Sequence, residues 1–444
     1  MFPMIGPAPA STATTSWWLT HSGAMPPSSH QPPDYIDVAI VGAGMTGCAT
    51  AYWLHELFGK GAADVVVLDA RGCAGGATGR NGGHLWPNPA SDFERSTIAD
   101  MMDILETNGI DCDLRRDGAT ALDRRQPEVG VVYHEGKDDP ESKGDGDDWG
   151  ETFEEWDAAT CEAKLQTESF STGWHFQGAS QFYPAKVAAA LLQQAQCTYC
   201  APVRVLSIES GQGSDAEYQL LRWVNGESGG DDGVLRARRV VVAANGWAGE
   251  LLPELSPHIY PTRNSVIMTK PLPKTAEWHV GAFSVDSDIG ARELYAIRRP
   301  DGRVCLGGAR ALEADAAVGV SDDTTNSEVV GRYLRRFLAE HFPRLLREDG
   351  EDGVNGDENT PILPVEAEWT GVLGFTTDGK PLVGPLPTRP HVYVGAGFCG
   401  HGMPQCCGVG KGLALMLEGR GDEAHPFLRN EANVARVFKD EVRS

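Results

Sequence analysis

The sequence has no excess of positive charge. Among its 444 residues, 62 Asp and Glu outnumber 38 Lys and Arg, which gives a formal net charge of -24. Nucleic-acid phosphates and anionic membrane surfaces both attract basic proteins, so neither kind of partner is expected. Much of the negative charge falls in two runs, residues 135–151 and 348–358, which we interpret as solvated loops.

The sequence contains neither a long apolar run nor a cysteine framework, and we expect no secretory leader. No window approaches the ~18 uncharged apolar residues of a membrane span. The start is rich in Pro, Ser, Thr and Ala, without a basic segment followed by an apolar block, and we expect residues 1–33 to be a disordered tail. One CxxC, at Cys197 and Cys200, has no second pair to complete a zinc site. We therefore expect no metal and a reducing, cytoplasmic setting.

From residue 36 onward the sequence contains a strand–turn–helix–strand unit of the size of a βαβ crossover. Residues 36–41 predict a buried strand, residues 45–58 an amphipathic helix and residues 65–68 a second strand. Another strand and helix follow near the C-terminus, with strand-rich sequence in between. This order predicts an α/β fold in which a nucleotide-binding domain is interrupted by a second domain.

The turn that joins the first strand to the helix has the pattern GxGxxG, formed by Gly42, Gly44 and Gly47. Gly42 permits the tight turn, Gly44 lets the backbone approach a pyrophosphate, and Gly47 lets the helix pack on the strand. The helix N-terminus offers free N–H groups to the phosphates. Asp69 ends the second strand, where a carboxylate meets the adenosine ribose hydroxyls. The unit predicts a dinucleotide site that disfavours NADP.

Two further glycine-rich segments favour FAD as the dinucleotide. Residues 75–84 follow the ribose strand, and glycine there lets the backbone lie flat against a large ligand. Arg80, in the same segment, is a candidate phosphate ligand. Residues 400–403 precede the late helix, whose dipole would stabilise negative charge on a reduced flavin. No second GxGxxG follows a strand, so no separate nicotinamide domain is expected.

Five segments together resemble the D-amino-acid-oxidase-like FAD oxidoreductases, the superfamily of glycine oxidase, sarcosine oxidase and glycerol-3-phosphate dehydrogenase. The segment ATGRNGGH, residues 77–84, is most similar to the γ-glutamylputrescine oxidase subgroup. The other four segments match the family in the same order: residues 178–186, 239–248, 375–384 and 397–403. The resemblance implies an α/β fold with a Rossmann-like FAD-binding domain and an inserted mixed-sheet substrate domain.

By this resemblance, FAD binds to residues 34–90, 175–250 and 366–420, and the substrate domain comprises residues 91–174 and 251–365 with the acidic loops. Some relatives attach FAD through a cysteine just before the fourth segment; this chain has none there, so we expect non-covalent FAD. The residues expected to contact FAD are Gly42, Gly44, Met45, Thr46, Gly47, Asp69, Ala70, Arg71, Thr78, Gly79, Arg80, Asn81, Gly82, Gly83, Val203, Ala244, Gly246, Trp247, Gly397, Gly400, Gly402 and Met403.

The resemblance also implies a reaction, in which the C–N bond of a small amine or amino acid is oxidised to an imine by hydride transfer to the flavin. His84 and His401 lie on glycine loops expected at the flavin, where an imidazole can take a proton from an ammonium substrate. Tyr295 and Arg298 lie on a strand that the resemblance places facing the substrate. Arg298 would hold a carboxylate through its planar guanidinium.

Several alternatives remain open. Oxidase chemistry with molecular oxygen is expected, but residues 303–308 lack the lysine that helps oxygen react in sarcosine-oxidase-like enzymes, so a dehydrogenase is not excluded. A second possibility is C–O oxidation of a 2-hydroxy acid or glycerol phosphate in the same superfamily. A third is a non-catalytic flavoprotein that serves as an assembly factor.

Overall fold

The computed structural model describes residues 13–438, apart from 24, 27, 30, 60–63, 89, 125–152, 227–231, 273–280, 287–291 and 344–362. Both acidic runs lie outside the described residues. The helices are α1 (Trp17–Thr20), α2 (Met45–Phe58), α3 (Asp92–Thr107), α4 (Ala158–Leu165), α5 (Pro184–Gln194), α6 (Ala248–Leu251), α7 (Glu328–His341), α8 (Cys406–Leu417) and α9 (Pro426–Arg429). Within the described ranges, none of the helices has both the length and the apolar character needed to cross a membrane.

The strands are β1 (Tyr35–Val41), β2 (Val65–Leu68), β3 (His84–Leu85), β4 (Ala119–Arg124), β5 (Phe153–Trp156), β6 (Phe170–Phe176), β7 (Ser180–Gln181), β8 (Thr198–Cys200), β9 (Val203–Ser210), β10 (Gln219–Asn225), β11 (Asp232–Val242), β12 (Ile259–Thr269), β13 (Ala282–Asp286), β14 (Arg292–Arg298), β15 (Val304–Gly308), β16 (Val365–Thr376), β17 (Leu382–Pro385) and β18 (Val392–Ala396).

The first large sheet contains the predicted dinucleotide unit. Its strand order is β17-β18-β11-β1-β2-β8, with β9 and β10 attached through β11. The inner pairs β1–β2, β1–β11 and β11–β18 are parallel. Val38, Ala39 and Ile40 in β1 are completely buried, as expected for a parallel sheet that is covered on both faces. Helices α2, α5 and α8 pack together on one of these faces.

The second large sheet has the order β16-β12-β15-β14-β13-β4-β6-β5. Helix α7 covers one of its faces, because Leu334, Phe337 and Leu338 recur at helical spacing and share an apolar core with Phe283. On β14, Tyr295 and Ile297 contact the segment of the first domain at Gly82. The second sheet therefore closes over the glycine-rich segment that was expected at the flavin.

The structure confirms the α/β fold class with its mixed second sheet. Two segments belong to a different domain from the one expected from the sequence. Strand β16 pairs with β12 along most of its length, so residues 366–376 belong to the second sheet. Helix α3 buries Phe93, Ile98 and Met101 in the core that it shares with α2 and α8, so it belongs to the first domain.

The described residues between 13 and 33 include a helix that packs on the first domain, which differs from the disordered tail expected up to residue 33. Trp17 and Trp18 of α1 are 4% and 1% exposed. Ser16 donates a hydrogen bond to the Gly79 carbonyl (2.5 Å), and the Trp18 indole donates to the Asn81 carbonyl (2.6 Å). The composition of the segment suggested disorder, but its two tryptophans bury enough apolar surface to order it. The N-terminal segment thus packs against the glycine-rich segment and holds it through these two hydrogen bonds.

We predict that Trp18→Ala lowers the midpoint of urea unfolding by the equivalent of about 3–5 kcal/mol, because it empties a buried site and removes a hydrogen bond to the Asn81 carbonyl. Val329→Ala, at a side chain of α7 that is 52% exposed, is the control and should change stability by less than about 0.5 kcal/mol. Equal midpoints for the two variants would show that the N-terminal segment does not contribute to the fold.

Candidate functional site

A cleft lies at the carboxyl ends of three neighbouring parallel strands, β1, β2 and β11. It encloses about 1340 Å³ of space, its open mouth included. In open α/β sheets ligands bind at this edge. Most of the residues expected to contact FAD line the cleft: Gly42, Gly44, Met45, Thr46, Asp69, Ala70, Arg71, Thr78, Asn81, Val203, Ala244, Trp247, Gly400, Gly402 and Met403. The others, Gly47, Gly79, Arg80, Gly82, Gly83, Gly246 and Gly397, are not among its lining residues.

The glycine turn leaves no room for side chains behind it. Gly42 has a φ of +112°, and a Cβ there would come within 2.5 Å of the Ala243 carbonyl oxygen. A Cβ on Gly47 would overlap the carbonyl oxygen of Gly42. Gly44 differs, because it lines the cleft and its missing Cβ would meet only the Thr78 hydroxyl, at 3.3 Å. Gly42 and Gly47 therefore shape the turn, and Gly44 leaves the backbone open to a pyrophosphate.

The carboxylate of Asp69 is held in place by backbone N–H groups. One oxygen accepts a hydrogen bond from Ala43 (2.8 Å), and the other accepts from Arg71 (2.8 Å) and Gly72 (2.9 Å). The Asp69 carbonyl accepts from Val203 (2.7 Å), which joins β2 to the start of β9. This fixed carboxylate faces the cleft where the sequence predicted contact with the ribose hydroxyls.

Arg80 is placed differently from the sequence prediction. Its guanidinium donates to the backbone carbonyls of Gly75 (3.0 Å), Thr14 (2.8 Å) and Thr370 (2.7 Å). Its side chain is buried, and burial lowers its pKa to about 10. Because these donors have partners within the protein, Arg80 joins three segments behind the cleft rather than pointing toward a phosphate.

The other end of the cleft is formed by Phe398, Gly400, Gly402 and Met403, just before α8. His401 stands between the two glycines, is not itself among the lining residues, and is 45% exposed in its side chain. Its Nε2 lies 2.9 Å from a carboxylate oxygen of Glu94 in α3. An imidazole whose second nitrogen interacts with a carboxylate is oriented for proton transfer.

Glu94 is almost completely buried, yet it has three polar partners. Besides His401, it accepts hydrogen bonds from the Asn88 N–H (2.6 Å) and from the Gln405 amide (2.8 Å). Burial alone would raise the pKa of this carboxyl, but the contact with His401 and the other hydrogen bonds outweigh it, and the net shift is downward. Glu94 therefore stays ionised beside His401 at neutral pH.

His84 has a different environment. Its ring lies 5.6 Å from that of Tyr295 and 5.9 Å from that of Trp86, and its Nε2 is buried with no hydrogen-bond partner among the described residues. Burial lowers the pKa of His84 to about 4. At neutral pH this side chain is an uncharged imidazole and a weak base.

The side chains of Tyr295 and Arg298 lie on opposite faces of β14. Side chains alternate along a strand, so Tyr295 and Ile297 share the face that meets Gly82, and Arg298 belongs to the other. The pKa of Arg298 is lowered mainly by burial and also by Arg115, while Asp117 opposes the shift. Neither Tyr295 nor Arg298 lines the cleft among the described residues.

Two carboxylates of the site were missed in the sequence. The pattern Ser91-x-x-Glu94 is a capping box, and Ser91 does cap α3 by accepting from the Glu94 N–H (3.3 Å). Its Glu94 side chain, however, reaches His401, a contact across 307 positions that no local pattern reveals. Glu250, in the short helix α6, also lines the cleft. It follows Trp247 by three positions, and this spacing places two side chains on the same face of a helix, so it could have indicated that Glu250 lies near Trp247.

Comparison with known proteins agrees with this geometry. The family model described as FAD dependent oxidoreductase matches residues 37–416. The chain is similar to a probable oxidoreductase OrdL of Rhizobium meliloti, with 23% identity over 87% of this chain and 84% of that protein. It is similar to gamma-glutamylputrescine oxidoreductase of Escherichia coli, with 24% identity over 88% and 85%.

Solved structures show the same fold. Glycine oxidase from Geobacillus kaustophilus has a TM-score of 0.68 at 19% identity, over 91% of this chain and 99% of that one. L-proline dehydrogenase from P. horikoshii has a TM-score of 0.66 at 14% identity, over 92% and 99%. The expected family resemblance and the expected FAD dependence are therefore both confirmed.

We predict that Gly44→Val purifies as a folded protein with at least tenfold less flavin per chain, because its branched side chain would occupy the path of the pyrophosphate. Flavin absorbance divided by protein absorbance measures the loss, and far-ultraviolet circular dichroism checks the fold. Gly47→Ala should instead destabilise the fold, because its Cβ overlaps the Gly42 carbonyl. A fully yellow Gly44→Val protein would contradict the assignment.

Proposed function

The chain belongs to the family of FAD-dependent oxidoreductases, and we propose that it oxidises the C–N bond of a small amine or amino acid to an imine, which water then hydrolyses. The observation that carries the proposal is the contact between His401 and Glu94, next to the glycines that line the end of the cleft away from Asp69. Amines are protonated at neutral pH and must lose that proton before they can give up a hydride. Because an alcohol oxidised at its C–O bond must also lose its hydroxyl proton, the choice of an amine over an alcohol rests on the relatives.

Bound FAD supplies the hydride acceptor, and the chain supplies orientation and proton handling. The buried Glu94 carboxylate holds the His401 ring through Nε2, so the ring is fixed although its side chain is partly exposed. Gly400 and Gly402 bring the backbone on both sides of His401 to the cleft wall. These features support His401 as the group that accepts the ammonium proton.

His84 is the less suitable base of the two candidates. Its pKa of about 4 means that it would hold a proton only weakly at neutral pH. Its ring is instead enclosed by Trp86 and Tyr295. We propose that His84 and Tyr295 form part of the wall over the substrate, where an uncharged, apolar surface excludes water from the reacting carbon.

The relatives support an amine or amino acid as substrate. They include proteins called gamma-glutamylputrescine oxidoreductase, glycine oxidase and D-amino acid dehydrogenase. These names cover both oxidases and dehydrogenases. We propose molecular oxygen as the acceptor of the electrons in this protein.

The function is tested by mixing the purified protein without oxygen with separate panels of amines, amino acids, 2-hydroxy acids and glycerol phosphate. We expect at least one amine or amino acid to bleach the visible flavin band within seconds. Bleaching by hydroxy acids or glycerol phosphate alone would replace the proposal with C–O oxidation, and no bleaching by any panel would favour a non-catalytic flavoprotein. Return of the colour on re-aeration would identify an oxidase, and its absence a dehydrogenase.

We predict that His401→Asn slows flavin reduction by the best amine about 100-fold at neutral pH, because proton removal loses its base. The defect should shrink as the pH rises, since the amine then loses its proton to solvent. Stopped-flow absorbance measures both rates. His55→Asn, in the last turn of α2 and outside the cleft, is the control and should match the parent protein. A defect that is equally large at every pH would assign His401 a structural role instead.

A further inference from the structure

Glu250 lies at the adenosine end of the cleft. The lining of this end comes from Asp69 to Arg71 after β2, from Val203 to Leu206 at the start of β9, and from α6 with its neighbour Trp247. The Val203 N–H donates to the Asp69 carbonyl, so this wall is joined to the carboxylate expected at the ribose. The glycines beside His401 form the other end. A base attached to the ribose would therefore face β9 and α6.

Within the described part of the chain, one oxygen of the Glu250 carboxylate is unpaired there. Its Oε1 is buried and has no hydrogen-bond partner among the described residues. Burial raises the pKa of Glu250 to about 7, and the charge of Arg204 opposes that shift only in part. Glu254, one turn further along the chain, is by contrast paired with Arg389 at 2.6 Å. A buried acceptor without a donor is costly, which indicates that a ligand provides the donor.

We propose that Glu250 accepts a hydrogen bond from the 6-amino group of the FAD adenine and thereby makes the site selective for adenine. The 6-amino group is the donor on the exposed edge of adenine, next to a ring-nitrogen acceptor. Hypoxanthine has a carbonyl oxygen at the same position, which would face the carboxylate as acceptor against acceptor. The inference rests on FAD as the cofactor and is independent of the substrate that the protein oxidises.

One rival explanation lies within the protein. The indole N–H of Trp247 is also buried without a partner among the described residues, three positions before Glu250. If Glu250 serves only to accept from Trp247 once FAD is bound, its role is structural. It would then affect all flavin dinucleotides equally, whatever base they carry.

The experiment compares FAD with the analogue that carries hypoxanthine in place of adenine. Apoprotein is prepared from the purified holoprotein and titrated with each ligand by quenching of flavin fluorescence at about pH 8.5, where Glu250 is ionised. We expect the parent protein to bind FAD at least about tenfold more tightly than the analogue. Glu250→Gln should bind the two within about twofold of each other, because a carboxamide can either accept or donate.

Glu209→Gln is the matched control. Glu209 lies on β9, is paired with Arg222 at the surface and is not among the residues that line the cleft, so this variant should keep the parent's preference for FAD. Equal affinity of the parent protein for both ligands would overturn the proposal. The proposal would also be overturned if Glu250→Gln weakened the binding of both ligands by the same factor. That result would mean that Glu250 only accepts a hydrogen bond from Trp247. Neither result depends on amine oxidation. Failure of this binding test would therefore leave the proposed function intact, and failure of the proposed function would leave this inference intact.

Discussion

The close approach of three backbone segments at the glycine turn is the constraint on which the site depends. The Gly42 N–H donates to the Leu68 carbonyl, and the Ala243 N–H donates to the Val41 carbonyl, so the ends of β1, β2 and β11 are tied together. The carbonyl of Ala243 occupies the space that a side chain on Gly42 would need. The three strands therefore end side by side, and α2 begins directly after the turn that follows β1. The cleft lies at these strand ends.

The local parts of this arrangement were predictable from the sequence. Helix α2 and strand β2 have the bounds that the apolar pattern predicts, because both are determined by burial within one short unit. A missing Cβ is a property of single positions, so the pattern predicts where side chains are excluded, and a Cβ on Gly42 or Gly47 would indeed overlap backbone atoms. The position of Asp69 at the cleft also followed from its place at a strand end.

The distant contacts were not predictable in the same way. Arg80 looked like a phosphate ligand because of its glycine-rich surroundings, but its partners Thr14 and Thr370 come from segments far away in sequence. The N-terminal segment looked disordered by composition, yet Trp17 and Trp18 find a buried site beside that same loop. The composition of a segment is visible in its own residues, whereas the surface that it packs against is formed by residues far away in the sequence.

The two histidines show how environment decides between equal candidates. Both stand on glycine-rich loops near the expected flavin, and no local pattern separates them. His84 has been placed between rings on a buried strand, where desolvation disfavours its charged form. His401 remains partly open to solvent and faces an ionised carboxylate that α3 brings from 307 positions away. Because α3 packs in the same core as α2 and α8, the helix layer that supports the cofactor turn also positions the carboxylate behind the candidate base. The cofactor turn and the His401–Glu94 pair are thus built on one packed core.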